Sequence, residues 1–157
     1  GYHFGEFRLS FDSNPARRFY YKLNYSPRDF YDGTRTDKSL TLGARLSNRL
    51  SAEGAYTRND IDLAVANFDV DLASLRIDYA LSPEMALRSV TQYNSATDQF
   101  SSSARFRYTY RPGSDIYVVY DELRMDTNQF MFDPHVRQSP WLSNRQLTIK
   151  MTYLWSP

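Results

Sequence analysis

Cysteine is absent from this 157-residue chain. Its absence removes disulfides, thiolate metal sites and cysteine nucleophiles together. Long apolar runs are absent too. No stretch approaches the roughly 18 residues of a helical membrane span, so a helical membrane protein is excluded. Neither sign of charge is in excess: 19 basic against 18 acidic residues leave a net charge of +1, which gives no reason to expect nucleic acid as a partner. Histidine occurs only as His3 and His135. No His-x-x-x-His, no His/Cys cluster and no Gly-rich phosphate loop is present, and Ser and Asp are too plentiful for a Ser-His-Asp set to carry information. The chain is therefore read as not an enzyme, with no catalytic residues, no metal site and no cofactor. Helical periodicity, linkers, low-complexity tracts and motif repeats are missing as well. The chain does not open on Met or on a signal peptide, so an N-terminal part is expected upstream of Gly1.

What is present is alternation. From Arg145 to Trp155, Leu147, Ile149, Met151, Tyr153 and Trp155 fall on one face and Gln146, Thr148, Lys150 and Thr152 on the other, with Leu154 out of step. The same period of two recurs along the chain. It predicts strands over about His3–Asp12, Arg18–Ser26, Ser39–Leu46, Leu50–Thr57, Ala73–Leu81, Met85–Tyr93, Phe100–Tyr110 and Ile116–Asp121, then the closing strand, about nine in all. The strand from Met85 is the least regular, because Leu87 and Tyr93 share a face with Ser89 and Thr91. Arg111-Pro112-Gly113-Ser114 has Pro and Gly where a type II turn wants them.

The connections read alternately short and long. Asn14-Pro15, Ser47-Asn48-Arg49, Ser82-Pro83-Glu84 and Arg111–Ser114 are short; Pro27–Lys38, Arg58–Val70, the medium tip Asn94–Gln99 and Arg124–Asn144 are longer. Outer-membrane barrels combine short periplasmic turns with longer outside loops. Aromatics amount to 16% of the chain and gather at strand ends. Phe11, Phe19, Tyr110, Tyr153 and Trp155 lie beside the short turns or the terminus, and Tyr25, Tyr56 and Tyr93 at the opposite ends, as two interfacial girdles would. The fold expected is all-β, an antiparallel transmembrane β-barrel. A single domain spans 1–157. The odd strand count points to the C-terminal part of a larger barrel, since bacterial barrels have even strand numbers. A soluble lipocalin-like or sandwich-like binding module is the alternative, because alternation suits it equally well.

The non-apolar face carries Arg8, Arg45, Arg76, Arg105, Arg107 and Lys150, the candidates for facing a wet lumen. Arg105, Arg107 and Arg111 alternate on one strand and suit a basic track favouring anionic solutes. Neutralisation by Glu6, Glu53, Asp78 and Asp121 is the commoner outcome, and both are left open. Asn59-Asp60-Ile61-Asp62 with Asp69 and Asp71 offers oxygen atoms to Ca²⁺, but without a Gly-containing loop spacing a solvated outside loop is the plainer reading. Phe130, Phe132 and Trp141 in the longest connection are expected to pin it against the barrel rim.

Two stretches, Ala104–Tyr120 with its Tyr110-Arg111-Pro112-Gly113-Ser114-Asp115 turn, and the terminal Asn144–Leu154, resemble the C-terminal end of a family of bacterial outer-membrane proteins. Members of that family carry an N-terminal domain similar to family-nine carbohydrate-binding modules ahead of a long barrel-like region. The resemblance covers roughly a quarter of the chain. It implies a bacterial outer-membrane location and a carbohydrate-binding domain upstream of Gly1, none of whose sugar-binding residues falls here. The role expected is a pore or transport element, or an anchor for that domain. The partners expected are outer-membrane lipid and lipopolysaccharide, the rest of the barrel upstream of Gly1, and other outer-membrane proteins.

Overall fold

A computed structural model describes residues 5–64, 66–126 and 141–155. Among these residues all regular structure is strand. The elements are β1 (Leu9–Asp12), β2 (Phe19–Phe30), β3 (Gly33–Arg45), β4 (Leu50–Asp62), β5 (Asn67–Ala80), β6 (Met85–Asn94), β7 (Gln99–Arg111), β8 (Ser114–Asp126) and β9 (Trp141–Met151). They form one sheet in sequence order, each strand antiparallel to the next. The fold is all-β, an up-and-down meander of the kind that makes barrels. β1 and β9 each pair on one side only among the described residues.

The strands are staggered. One row of opposed residues runs Arg45–Ser51–Asp78–Arg88–Arg105–Val119–Thr148. The β3–β4 turn begins at that row, the β5–β6 turn beyond Ala80–Ala86, and the β7–β8 turn beyond Thr109–Asp115, further along each time. Strands tilted against the line of their own turns are what barrel closure requires.

Four of the expected segments have other bounds. Pro27–Lys38 and Arg58–Val70 are not long loops but continuations of the ladder, with Pro27 opposite Thr36 and Arg58 opposite Asp71. The connection between β2 and β3 is Tyr31-Asp32, where Tyr31 carries the positive φ of 53°. Gly33 serves a different purpose, since a Cβ there would overlap the backbone carbonyl of Asp62. The first strand is shorter than its alternation suggests: regular pairing covers Leu9–Asp12, with an isolated bridge from Glu6 to Arg28. The closing strand starts earlier and ends earlier than Arg145–Trp155.

Its end is held differently. Beyond Met151, Thr152 and Asp115 exchange backbone hydrogen bonds of 2.8 and 3.2 Å, and the Leu154 N–H donates to the Ser114 hydroxyl oxygen at 3.0 Å. Ser114 is 1% exposed. Gly113 has φ +76°, as the type II turn requires, and a Cβ on it would overlap the Leu154 side chain. The Tyr110 hydroxyl, at a bulge between Thr109 and Arg111, donates to the Thr152 carbonyl at 3.4 Å. Leu154 breaks the alternation because it belongs to this clasp and not to the strand. The two stretches that carry the family resemblance are thus in contact with each other.

Ser114→Ala is expected to lower unfolding free energy by about 1 kcal/mol, the usual worth of one such bond. Gly113→Ala should cost more, through the left-handed backbone and the Leu154 contact together. Urea titration of the detergent-folded protein measures both.

Candidate functional site

Opposed residues share a face, so the pairing register assigns every strand position to one side of the sheet. Tyr21, Leu42, Leu75, Ile77, Tyr79, Leu87, Phe106, Val118, Leu147 and Ile149 share the apolar side. Tyr20, Gly43, Glu53, Arg76, Ser103 and Asp121 fall on the other. All six lumen candidates, Arg8, Arg45, Arg76, Arg105, Arg107 and Lys150, lie on this polar side. Arg111 does not extend the row, because the bulge at Tyr110 takes it out of the alternation.

Exposure runs opposite to that of a soluble protein. Leu42 is 56% exposed and Ile149 68%, while Gly43 on the polar side is buried and Ser51, Glu53, Asp78 and Asp121 are partly covered. Ile61 is the one apolar residue of the described chain counted as buried, and it too lies on the polar side, opposite Arg35 and Phe68. One cavity of about 780 Å³ touches Arg45 of β3, Ser51 of β4, Asp78 of β5, Arg88 of β6, Arg105 of β7 and Tyr117 of β8. Six strands about 4.8 Å apart can border one hollow only if the sheet curls toward them. The polar side is the inside of the curl.

Along that inside, Tyr20 lies across Gly43 and its hydroxyl donates to the Glu53 carboxylate at 2.5 Å, linking β2 to β4 over β3. Asp78 pairs with Arg88, and Glu6 with Arg8 at 2.7 Å. Glu6, Glu53 and Asp78 are therefore engaged elsewhere, and among the described residues no ion pair joins any acid to Arg76, Arg105, Arg107 or Lys150. The inner cations divide accordingly: Arg8 and Arg88 pair with acids, Arg76 stands opposite Glu53 without an ion pair, and no acid among the described residues pairs with Arg105 or Arg107. Asp115 accepts hydrogen bonds from Thr109 and, at 3.4 Å, from the Tyr117 hydroxyl.

The outside has a sharp upper border. Beyond the Tyr56 level the outer face of β3–β5 turns charged: Lys38 and Arg58 each reach Asp60 at 2.7 Å, and Arg58 reaches Asp69 at 3.0 Å. Lys38 and Arg58 hold the Asp60 carboxyl below its ordinary range through these hydrogen bonds. On β8 and β9, Arg124 and Arg145 meet Glu122 at 2.8 and 2.9 Å. Below the border the outer face is apolar, apart from Ser89 and a Thr91–Ser102 pair whose hydroxyls bond each other at 3.2 Å. The Asp60, Asp69 and Asp71 carboxylates, candidates for Ca²⁺, face cations and the Tyr56 hydroxyl instead. Among the described residues no three His, Cys, Asp or Glu side chains gather as a metal set.

The aromatic candidates separate into two levels. Tyr56 donates to Asp71 at 2.5 Å and Tyr93 to Asp98 at 3.0 Å, both at the charged border, where Tyr25 also stands opposite Lys38. Phe11, Phe19, Tyr153 and Trp155 stand exposed at the short-turn end, with the Arg18 guanidinium 5.7 Å over the Phe19 ring, and Tyr110 packs into the terminal clasp. Periodicity alone missed the Tyr20–Gly43–Glu53 strut and the charged border. The signal for the strut was a lone glycine inside a strand. His3, Phe130, Phe132, His135 and the Trp141 side chain lie outside the described residues.

No family model matches the chain, and no curated protein sequence does. A solved structure of the NanC porin, in a rhombohedral crystal form, is similar over 96% of this chain and 79% of its own, at 13% identity and a TM-score of 0.45. Similarity at that level decides nothing about this chain.

Gly43→Ala is expected to displace the Tyr20 ring and cost about 1–3 kcal/mol, as overpacking does. In a Tyr20→Ala background the same change should cost much less, a non-additivity that a double-mutant cycle in urea reads directly.

Proposed function

We propose that this chain is a wall of an outer-membrane β-barrel, with its apolar side in lipid and its polar side lining a water-filled passage. The observation that supports this reading is the inverted exposure. Apolar side chains stand outward in a continuous band, and charged and hydroxyl side chains line the inside of the curl. In water such a band would be an aggregation surface far beyond the few hundred Å² that soluble monomers tolerate. In a bilayer it is the required contact. The charged border and its tyrosines then stand at the level of the outer headgroups, where lipopolysaccharide is the neighbour, and the short turns face the periplasm.

The two edges that lack a partner among the described residues belong to the same reading. β1 and β9 run in the same direction, so antiparallel closure takes an odd number of further strands between them. A segment upstream of Gly1 is the proposed source. The soluble lipocalin-like or sandwich alternative would put the apolar side inside the curl, which is the opposite of the arrangement described. A pore role accounts for the unpaired cations of the inner face. An anchor for an upstream carbohydrate-binding domain, the role implied by the C-terminal resemblance, would instead show no conductance.

Ile77 sits midway down the outer band of β5 and is 37% exposed. Ile77→Arg is expected to cost about 2–4 kcal/mol in unfolding from lipid vesicles, the cost of an arginine at the bilayer midplane. A change within about 0.5 kcal/mol, the ordinary effect of an exposed substitution in water, would reject the membrane reading. Heat-modifiable migration of the purified protein in detergent supplies an independent check.

A further inference from the structure

The inner hollow near the short turns is strongly basic. Its lining includes Arg45, Arg49, Arg88, Arg105 and Arg107 against a single carboxylate, Asp78. Lys150 stands beside it, one strand beyond Tyr117, which is itself opposite Arg107. Arg88 and Arg105 are directly opposed on β6 and β7, and Arg107 follows Arg105 on the same face. Directly opposed like charges weaken a sheet. Asp78 pairs with Arg88, and among the described residues no ion pair offsets Arg105 or Arg107. Neighbouring positions show the contrast. Further from the turns, the inner wall over β6–β9 is made of Gln92, Ser101, Ser103, Gln146 and one acid, Asp121, opposite Ser103 and Gln146. Over β6–β9 the positive charge is thus concentrated at one level, in a hollow whose curved, low-dielectric wall focuses its field.

We infer that this level is an anion-selecting site on the wall of the passage, with Arg105 and Arg107, unpaired among the described residues, at its centre and Arg88, Arg45 and Lys150 at its sides. The solutes it fits are small molecules carrying two or more negative charges, because cations on separate strands can engage separate anionic groups at once. Arginine suits such groups through bidentate bonding to carboxylate or phosphate. This inference rests on the pore reading above and adds the substrate class to it.

The test is conductance of the purified full-length protein in planar lipid bilayers. In a KCl gradient the reversal potential should show chloride preferred over potassium, and citrate, as a trivalent probe, should block the current. Arg105→Ser with Arg107→Ser should move the selectivity toward potassium and weaken citrate block roughly tenfold or more. Arg105→Lys with Arg107→Lys should retain chloride preference and lose part of the citrate block. If the serine pair fails to insert, Arg105→Gln with Arg107→Gln replaces it, with heat-modifiable migration as the check of folding. A wild-type pore without anion preference, or serine or glutamine variants that conduct with unchanged selectivity, overturns the inference and leaves the pore reading standing. A folded wild-type protein that never conducts overturns both.

Discussion

The backbone ladder is the one interaction this structure cannot do without. Elsewhere a sheet is held partly by what packs on it, but here the apolar side chains point away from the protein and almost none is buried within it. Every strand therefore relies on its neighbours for hydrogen bonds, from Leu9 opposite Tyr25 to Met151 opposite Ile116. A bilayer enforces the same dependence, since a peptide group without a partner costs several kcal/mol there. The outward Thr91 and Ser102 obey the rule at side-chain level: placed where lipid is expected, their hydroxyls satisfy each other.

Where the alternation was readable, the fold was readable. Phe19, Tyr21, Leu23 and Tyr25 declare a strand because one side of β2 is apolar and the other is not. Past Ser26 the same strand continues through Pro27, Arg28 and Asp29 with no such contrast, since both sides there are polar. Period-two contrast marks the environment on the two faces, not the strand itself. The hairpins beyond the apolar band therefore look like loops in the sequence. Pro27 added to the impression, although a proline is tolerated where it sits. The irregularity at Ser89 and Thr91 is the reverse case: the strand is real and its outer face is locally polar.

The candidate site was legible by face and not by partnership. Alternation groups Arg105, Arg107 and Lys150 on one polar face, as the pairing register does, because parity survives any error in strand ends. Whether they were neutralised depended on where Glu6, Glu53 and Asp78 point, and those carboxylates find Arg8, Tyr20 and Arg88. Such choices follow from register between strands far apart in sequence. Gly43 illustrates the limit: its role is set by a tyrosine on the neighbouring strand, and only the pairing of Tyr20 with Gly43 reveals it.

The clasp at the terminus secures the last strand at its far end. Leu154 is anchored to Ser114, and Thr152 exchanges backbone hydrogen bonds with Asp115, so the chain beyond β9 is tied to the β7–β8 turn. β8 and β9 are joined by the longest connection in the sheet, and a long loop constrains its two ends less than a tight turn does. The β8–β9 pair is therefore fastened at the short-turn end by capping contacts, where the other hairpins have a covalent turn.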